Sequence, residues 1–396
     1  MLIVMGGLWI ASMSRGAPNH DAFGQLMMPD LLAHLAGGRL ALTGRAHQLY
    51  ELHAQVAAAN EIVRDDGYHL YLSPPFVAWI YAPFATLPYR VALIAWIAVL
   101  AAQLGAAAAM LRPWTADRWS ARDQQLAWLV ALSSGPTLDL FGSGQDTGIS
   151  LVLWVAGASL SARRRDVPAG LVFALGWFKP QLFLAAPFVL VGLRRWRALV
   201  AYLAGSAVLA GITFATVGLD GLVAWRSIFA TPAYRDFIVG EIGWKMQSLP
   251  ALFRAFVPSS AHAIATALGV AVALAVAAAS MLRTARMLPA IRAIEPASEI
   301  SLWALVCLAS IVASPHLFLY DLVLAAFPCA IALQHGDART RVLVAFAVVI
   351  SWTSGLRGIA FGASPWPVRA LAAGFSSLPL LVLALRWPVP TQREEM

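Results

Sequence analysis

Apolar residues fill long runs along most of this chain, and shorter polar stretches separate them. The runs fall at about residues 2–15, 70–88, 91–111, 124–141, 146–162, 167–193, 197–217, 260–282, 300–313, 317–334, 342–356 and 367–386. Most approach the roughly 20 residues that a helix needs to cross the hydrocarbon core of a bilayer. This pattern predicts an all-α polytopic membrane protein with ten to twelve transmembrane helices. The first run is short and lacks a basic leader or a small-residue cleavage pattern, so it reads as a first membrane helix cut short at its start. Two polar stretches, 16–68 and 218–258, are too long for simple turns, and both hold aromatic or histidine residues among periodic apolar ones. Loops of that length usually carry function.

Composition sharpens the class. Hydrophobic residues make up 60% of the chain and charged ones 12%, against about 25% charged in soluble domains. Residues 1–396 therefore read as one integral membrane domain. The net charge of +8 sits in arginine clusters between apolar runs: Arg163-Arg164-Arg165, Arg194-Arg195 with Arg197, Arg283 with Arg286, and Arg339 with Arg341. That is the cytoplasmic loop bias of membrane proteins. It predicts a multi-pass protein of the plasma (inner) membrane with both long loops on the extracytoplasmic face. A nucleic-acid partner would need one contiguous basic surface, which the clusters do not make. Cys307 and Cys329 lie inside apolar runs and read as packing thiols.

Two segments resist simple threading. Residues 167–193 carry arginines at both ends and Lys179-Pro180 in the middle. Proline breaks a helix interior, so a broken or re-entrant helix pair is expected there, as protein or a water-filled cavity can cover irregular backbone. The proline-rich run 70–88 raises the same question.

Chemistry concentrates first in "MMPDLLAHLAGGRLALTGRAHQLYE", residues 27–51. On a helix, Asp30, His34, Gly37, Gly38, Ala41 and Arg45 share one stripe, and Leu31, Leu35 and Leu42 another. The small residues would let another molecule approach the backbone closely. Gly44 would close this helix. Taken alone, Asp30 at the helix start reads as an N-cap accepting a backbone N–H.

The stretch resembles the first extracytoplasmic loop of glycosyltransferase family 87, polyprenyl-phosphate-sugar-dependent enzymes of the GT-C fold, with Asp30, Gly44 and Leu49-Tyr50 at the matching positions. Further motifs follow in order. "YLSPPFVAWIYAPFATLP", which opens at Tyr71, is similar to the family's Tyr-Pro-Pro segment. "GSGQDTGISLVLWVAGASL" resembles its Gly-Gln motif, and "AGLVFALGWFKPQLFLAAPFVLVGLRRWRAL" its Gly-rich helix broken at Lys-Pro. "GWKMQSLPALFRAF" resembles its Asn-Gln-Ser-Leu motif, with Met246 where Asn is usual, and "SPHLFLYDLVLAAFP" its Ser-Pro turn.

The resemblance implies a GT-C-type fold with a juxtamembrane helical first loop. It also implies inverting transfer of a hexose, mannose in the first instance, from a polyprenyl-phosphate donor to a lipid-linked or glycan acceptor hydroxyl on the extracytoplasmic face. Asp30 would be the catalytic base. The leaving phosphate needs positive charge or N–H donors, for which Lys179, Lys245, Arg254 and Arg357 are candidates. An ionisable residue inside the membrane, such as Lys179, reads as functional or as a structural partner at the Pro180 break. His34, Tyr71, Gln145, Asp146, Gln247, Ser248, His316, Tyr320 and Asp321 complete the candidate substrate-binding set. Tyr320 and Asp321 stand where mannose-transferring members carry His, which leaves the sugar open. The donor carries its own phosphate, and neither a Gly-rich phosphate loop nor an Asp-x-Asp pair occurs. No cofactor and no metal are expected, and the partners are the donor, the acceptor and membrane lipids. Two other readings compete: a transporter or flippase, suggested by the broken helix, and a surface-polysaccharide ligase or polymerase.

Overall fold

The computed structural model describes residues 11, 15–16, 19–22, 24–64, 67, 69–116, 119–287, 295–365 and 368–388. The first expected span, 2–15, lies almost wholly outside the described residues. Within them the chain is all-helical. In chain order the α-helices are α1 (Pro29–Leu42), α2 (Leu52–Ile62), α3 (Val77–Tyr81), α4 (Tyr89–Thr115), α5 (Ala121–Leu132) and α6 (Gly135–Ser143). Then come α7 (Thr147–Ala162), α8 (Asp166–Leu175), α9 (Pro180–Phe183), α10 (Ala186–Gly192), α11 (Trp196–Ile228) and α12 (Leu249–Ala255). Last are α13 (His262–Met287), α14 (Pro296–Ala313), α15 (Ala326–His335), α16 (Ala338–Trp352), α17 (Ser354–Phe361) and α18 (Ser377–Leu385). No β-strand occurs among the described residues, only the isolated bridges His20–Leu26 and Met246–Phe318.

Among the described residues, four helical segments are long and apolar enough to cross a membrane alone: Tyr89–Thr115, Trp196–Ile228, Ser259–Leu282 and Pro296–Ala313. Several other apolar runs within the described residues fold as shorter pieces, and their sequences say why. Run 70–88 holds four prolines, and it yields only the five-residue α3 and a 3-10 turn at Phe84–Thr86. Run 124–141 divides at Ser133-Ser134 into α5 and α6. Run 167–193 breaks at Lys179-Pro180, as expected, into α8, a 3-10 turn, α9 and α10. Run 317–334 begins as a 3-10 helix, Leu319–Ala325, before α15. Within α11, Gly218 leaves helical geometry (φ 66°, ψ −168°), so a second helical piece carries on to Ile228. The stretch 218–258 is therefore largely helical and includes a π-helical turn at Tyr234–Glu241.

The chain divides into two compact units. The first comprises residues 1–102, 138–146 and 206–239. Its centre is α1, which buries Leu31–Gly38, Leu40 and Ala41 rather than one face alone. The stripe of small residues receives the chain's own 71–82 segment, not another molecule. A Cβ on Gly37 would lie 2.6 Å from the Tyr71 ring, and one on Gly38 2.9 Å from the backbone at Tyr81 and Ala82. The helix ends as Gly44 predicts. With Gly44 at φ +73°, the Arg45 N–H donates to Leu40 O (2.9 Å) and the Gly44 N–H to Ala41 O (3.4 Å), the Schellman arrangement that glycine permits.

The second unit comprises residues 103–137, 147–205 and 240–396. Its core is aromatic. Trp154 stacks on Phe183 (4.8 Å between centroids) and meets Phe173 edge-on, while Phe173 stacks on Trp303 (4.4 Å). Beside this core Arg195 is 5% exposed. It pairs with Glu299 and with Asp166 (3.3 Å) and donates to Ser161 O (3.1 Å). Arg195 belongs to an arginine cluster that the charge pattern reads as loop, yet it is a buried ion-pair partner. The left-handed backbone of Arg194 (φ 54°) is what turns the chain there.

Candidate functional site

In the first unit, the α1 N-terminus is built to hold Asp30 away from a capping role. The N-cap residue is Met28, in left-handed backbone (φ 55°, ψ 58°) and without a side-chain cap. For a non-glycine residue that conformation costs roughly 1–2 kcal/mol, so its surroundings must enforce it. The Met28 N–H donates to Gly142 O (3.2 Å), and the Tyr89 hydroxyl donates to Met27 O (2.5 Å) and Met28 O (3.1 Å). Pro29 then starts the helix. The half-buried Asp30 carboxylate accepts, through Oδ2, a hydrogen bond from Gln145 Nε2 at 2.9 Å. The capping reading of Asp30 therefore does not hold.

One turn on, His34 Nδ1 donates to Asp30 O (2.6 Å), since a carbonyl can only accept. Its Nε2 lies 3.1 Å from Ser73 Oγ and 3.4 Å from Asp146 Oδ2. The imidazole stacks on Tyr81 (4.4 Å) and meets Tyr71 edge-on (5.9 Å). Asp146, fully buried, also accepts from the Tyr81 hydroxyl at 3.2 Å. Tyr71 is anchored twice: its hydroxyl donates to Pro74 O (2.9 Å), and its backbone exchanges hydrogen bonds with the Gln55 amide. Asp30, His34, Tyr71, Gln145 and Asp146, which reach from residue 30 to residue 146 in sequence, thus form one cluster. Tyr81 and Ser73 join it without any signal in the sequence, because only the packing of 71–82 on α1 brings them there.

A second cluster lies within the second unit. Lys179, at the helix break, places Nζ 2.8 Å from Thr147 Oγ1 and 2.9 Å from Asp321 Oδ1. The Thr147 hydroxyl donates to the same carboxylate oxygen at 2.5 Å, and the Phe318 N–H donates to Asp321 Oδ2 at 3.0 Å. The ammonium sits 5.1 Å from the centroid of the Tyr320 ring, a cation–π distance. The sequence names Lys179, Tyr320 and Asp321 but not Thr147. His316, in the adjoining turn, meets Phe318 edge-on at 4.8 Å.

Among the remaining candidates of the second unit, Gln247 and Arg357 make internal braces. Gln247 donates to Ala372 O (2.8 Å) and Trp244 O (3.2 Å) and accepts from Ser376 Oγ (2.8 Å). Arg357 donates to Leu371 O (2.7 Å), Ile350 O (2.8 Å) and Ser376 Oγ (3.0 Å). Ser248, fully buried, occupies the N-cap position of α12 without a side-chain cap. Lys245 Nζ lies 5.8 Å from the Trp244 ring centroid. Met246 is buried, accepts from Arg254 at its sulfur (2.7 Å) and from the Gly374 N–H at its carbonyl (2.8 Å). Among the described residues no group of three or more His, Cys, Asp or Glu is placed to hold a metal ion.

Chemically, the first cluster offers a carboxylate oriented by a neutral amide, backed by an imidazole and a buried second carboxylate. The second offers a desolvated ammonium beside an aromatic face. Residues 71–315 match the family model of glycosyltransferase family 87. No curated protein and no solved structure matches the chain.

Proposed function

Because this chain belongs to glycosyltransferase family 87 and is thus a membrane glycosyltransferase, we propose that it moves a hexose, mannose in our reading, from a polyprenyl-phosphate donor to a lipid-linked or glycan hydroxyl. The transporter reading gives way to family membership. In the proposed reaction Asp30 takes the proton from the acceptor hydroxyl as its oxygen attacks the anomeric carbon. The new C–O bond forms with inversion as the bond to the phosphate oxygen breaks, and polyprenyl phosphate leaves carrying the electron pair. Reaction takes place at the extracytoplasmic face of the plasma membrane, with no metal or cofactor.

One observation carries the role of Asp30. Its carboxylate does not cap its own helix and is held by Gln145 at 2.9 Å, an arrangement that serves a reacting group better than a cap. Lys179 is the candidate for the phosphate charge. It is already desolvated and paired with Asp321, so an arriving phosphate would convert the pair into a triad rather than strip water from a free ammonium. A cation aimed at developing negative charge in a dry site is among the stronger catalytic devices.

The test is transfer by purified protein in nanodiscs, with radiolabelled polyprenyl-phosphate hexoses and a membrane-lipid acceptor extract. Wild type should transfer, and Asp30→Asn should lose about 10²–10⁴-fold in rate, the usual worth of a general base. Equal rates from both proteins would remove Asp30 from that role.

A further inference from the structure

The structure assigns Gln145 as the positioning residue of Asp30 rather than a contact to the sugar, an inference that rests on Asp30 being the base. A buried glutamine heading a span would ordinarily be read as a substrate contact or a cap. Here its Nε2 donates to Asp30 Oδ2 at 2.9 Å, and the backbone around it is arranged to keep that contact. Helix α6 ends at Gly144 in left-handed backbone (φ +73°), where the Gln145 N–H donates back to Leu140 O (3.1 Å). That turn delivers Gln145 to the α1 N-terminus. A Cβ at residue 144 would fall 2.8 Å from both Leu31 Cβ and Met28 Cβ, so only glycine allows this approach. Trp96 Nε1 fixes the same turn by donating to Gly144 O (2.9 Å). On the other side, the left-handed Met28 donates its N–H to Gly142 O (3.2 Å). Backbone conformations rare for their residue type, such as that of Met28, cluster where a site needs a fixed geometry.

The choice of an amide matters. An arginine or lysine in its place would hold the carboxylate equally firmly but lower its affinity for a proton, which a base needs. A neutral N–H fixes one oxygen and leaves the lone pairs of the other for the acceptor hydroxyl. Gln145 itself exchanges no proton, so its effect passes through Asp30.

Transfer kinetics in nanodiscs, with polyprenyl-phosphate hexose as donor, separate the possibilities. Gln145→Met keeps the length of the side chain and removes the N–H. We expect kcat to fall about 10- to 100-fold with donor KM changed less than about threefold, because orientation rather than binding is lost. Gln145→His, which presents an N–H the same number of bonds from Cβ, should recover a substantial part of that loss. In the Asp30→Asn background Gln145→Met should cost nothing further, since residues that act as a unit are not additive. A rise in KM alone would make Gln145 a sugar contact and overturn the inference. So would unchanged kcat, or a full additional loss in the Asp30→Asn background. If the wild type transfers from none of these donors, the proposed function fails and the positioning role falls with it. An active wild type indifferent to Gln145 sinks the positioning role alone.

Discussion

Asp30 and His34 are neighbours because a helix places residues four apart on one face, and that much needs only the sequence. What lies opposite them does not. Gln145 stands 115 positions from Asp30, and Ser73 stands 39 positions from His34. No periodicity links residues so distant, and only the packing of separate segments joins them. Gly37 and Gly38 are the exception, since each marks a close approach even where the sequence cannot say to what. Gly38 is the stricter of the two, because what lies 2.9 Å from any added Cβ is the backbone of Tyr81 and Ala82. Backbone cannot swing aside as a side-chain tip can, so Gly38→Ala should lower stability by about 1–3 kcal/mol, the usual cost of overpacking. Thermal unfolding in detergent reads this as a lower midpoint for Gly38→Ala. An unchanged midpoint would mean that the 71–82 segment is not seated on α1 as described.

Elements broke where their sequences contain a reason to break. Lys179-Pro180 interrupts run 167–193 as expected, and the prolines of 70–88 dismantle a would-be span. The 3-10 and π segments are not legible in the sequence, because they depend on what each helix end must satisfy rather than on propensity. Charge patterning does not tell which arginine of a cluster turns inward. The arginines after α10 look alike in sequence, but the left-handed Arg194 sends Arg195 inward to Glu299, Asp166 and Ser161. This knot ties α7, α8 and α14 to the start of α11. Its energetics set an asymmetric expectation. Glu299→Leu alone should destabilise by about 3–5 kcal/mol, because it leaves a buried guanidinium short of its partner, whereas Arg195→Met with Glu299→Leu should recover most of the loss. Chemical denaturation of the three proteins distinguishes this from simple additivity, in which the double variant would be the least stable.

At the scale of the whole molecule, family membership and four long apolar helices make this an integral membrane enzyme, while its orientation rests on the arginine distribution. Orientation is directly measurable, because the two native thiols, Cys307 and Cys329, are buried and should react little with an impermeant maleimide. A cysteine replacing exposed Glu51, in the first loop, should be labelled in intact cells, and one replacing exposed Arg164 only after permeabilisation. The opposite pattern would invert the topology and place Asp30 on the cytoplasmic side. Hydropathy scores the four long helices much alike, but their surroundings differ. In Tyr89–Thr115, Trp196–Ile228 and Ser259–Leu282 only 22–33% of the most apolar stretch is buried in protein, against 83% in Pro296–Ala313. The outward three need only remain greasy, so their residues are free to drift among leucine, valine, isoleucine and phenylalanine over evolutionary time. Helix α14 has no such freedom: wedged among neighbours that fix Glu299 and Trp303, it should be the slowest-changing of the four in any lineage, whatever bilayer that lineage inhabits.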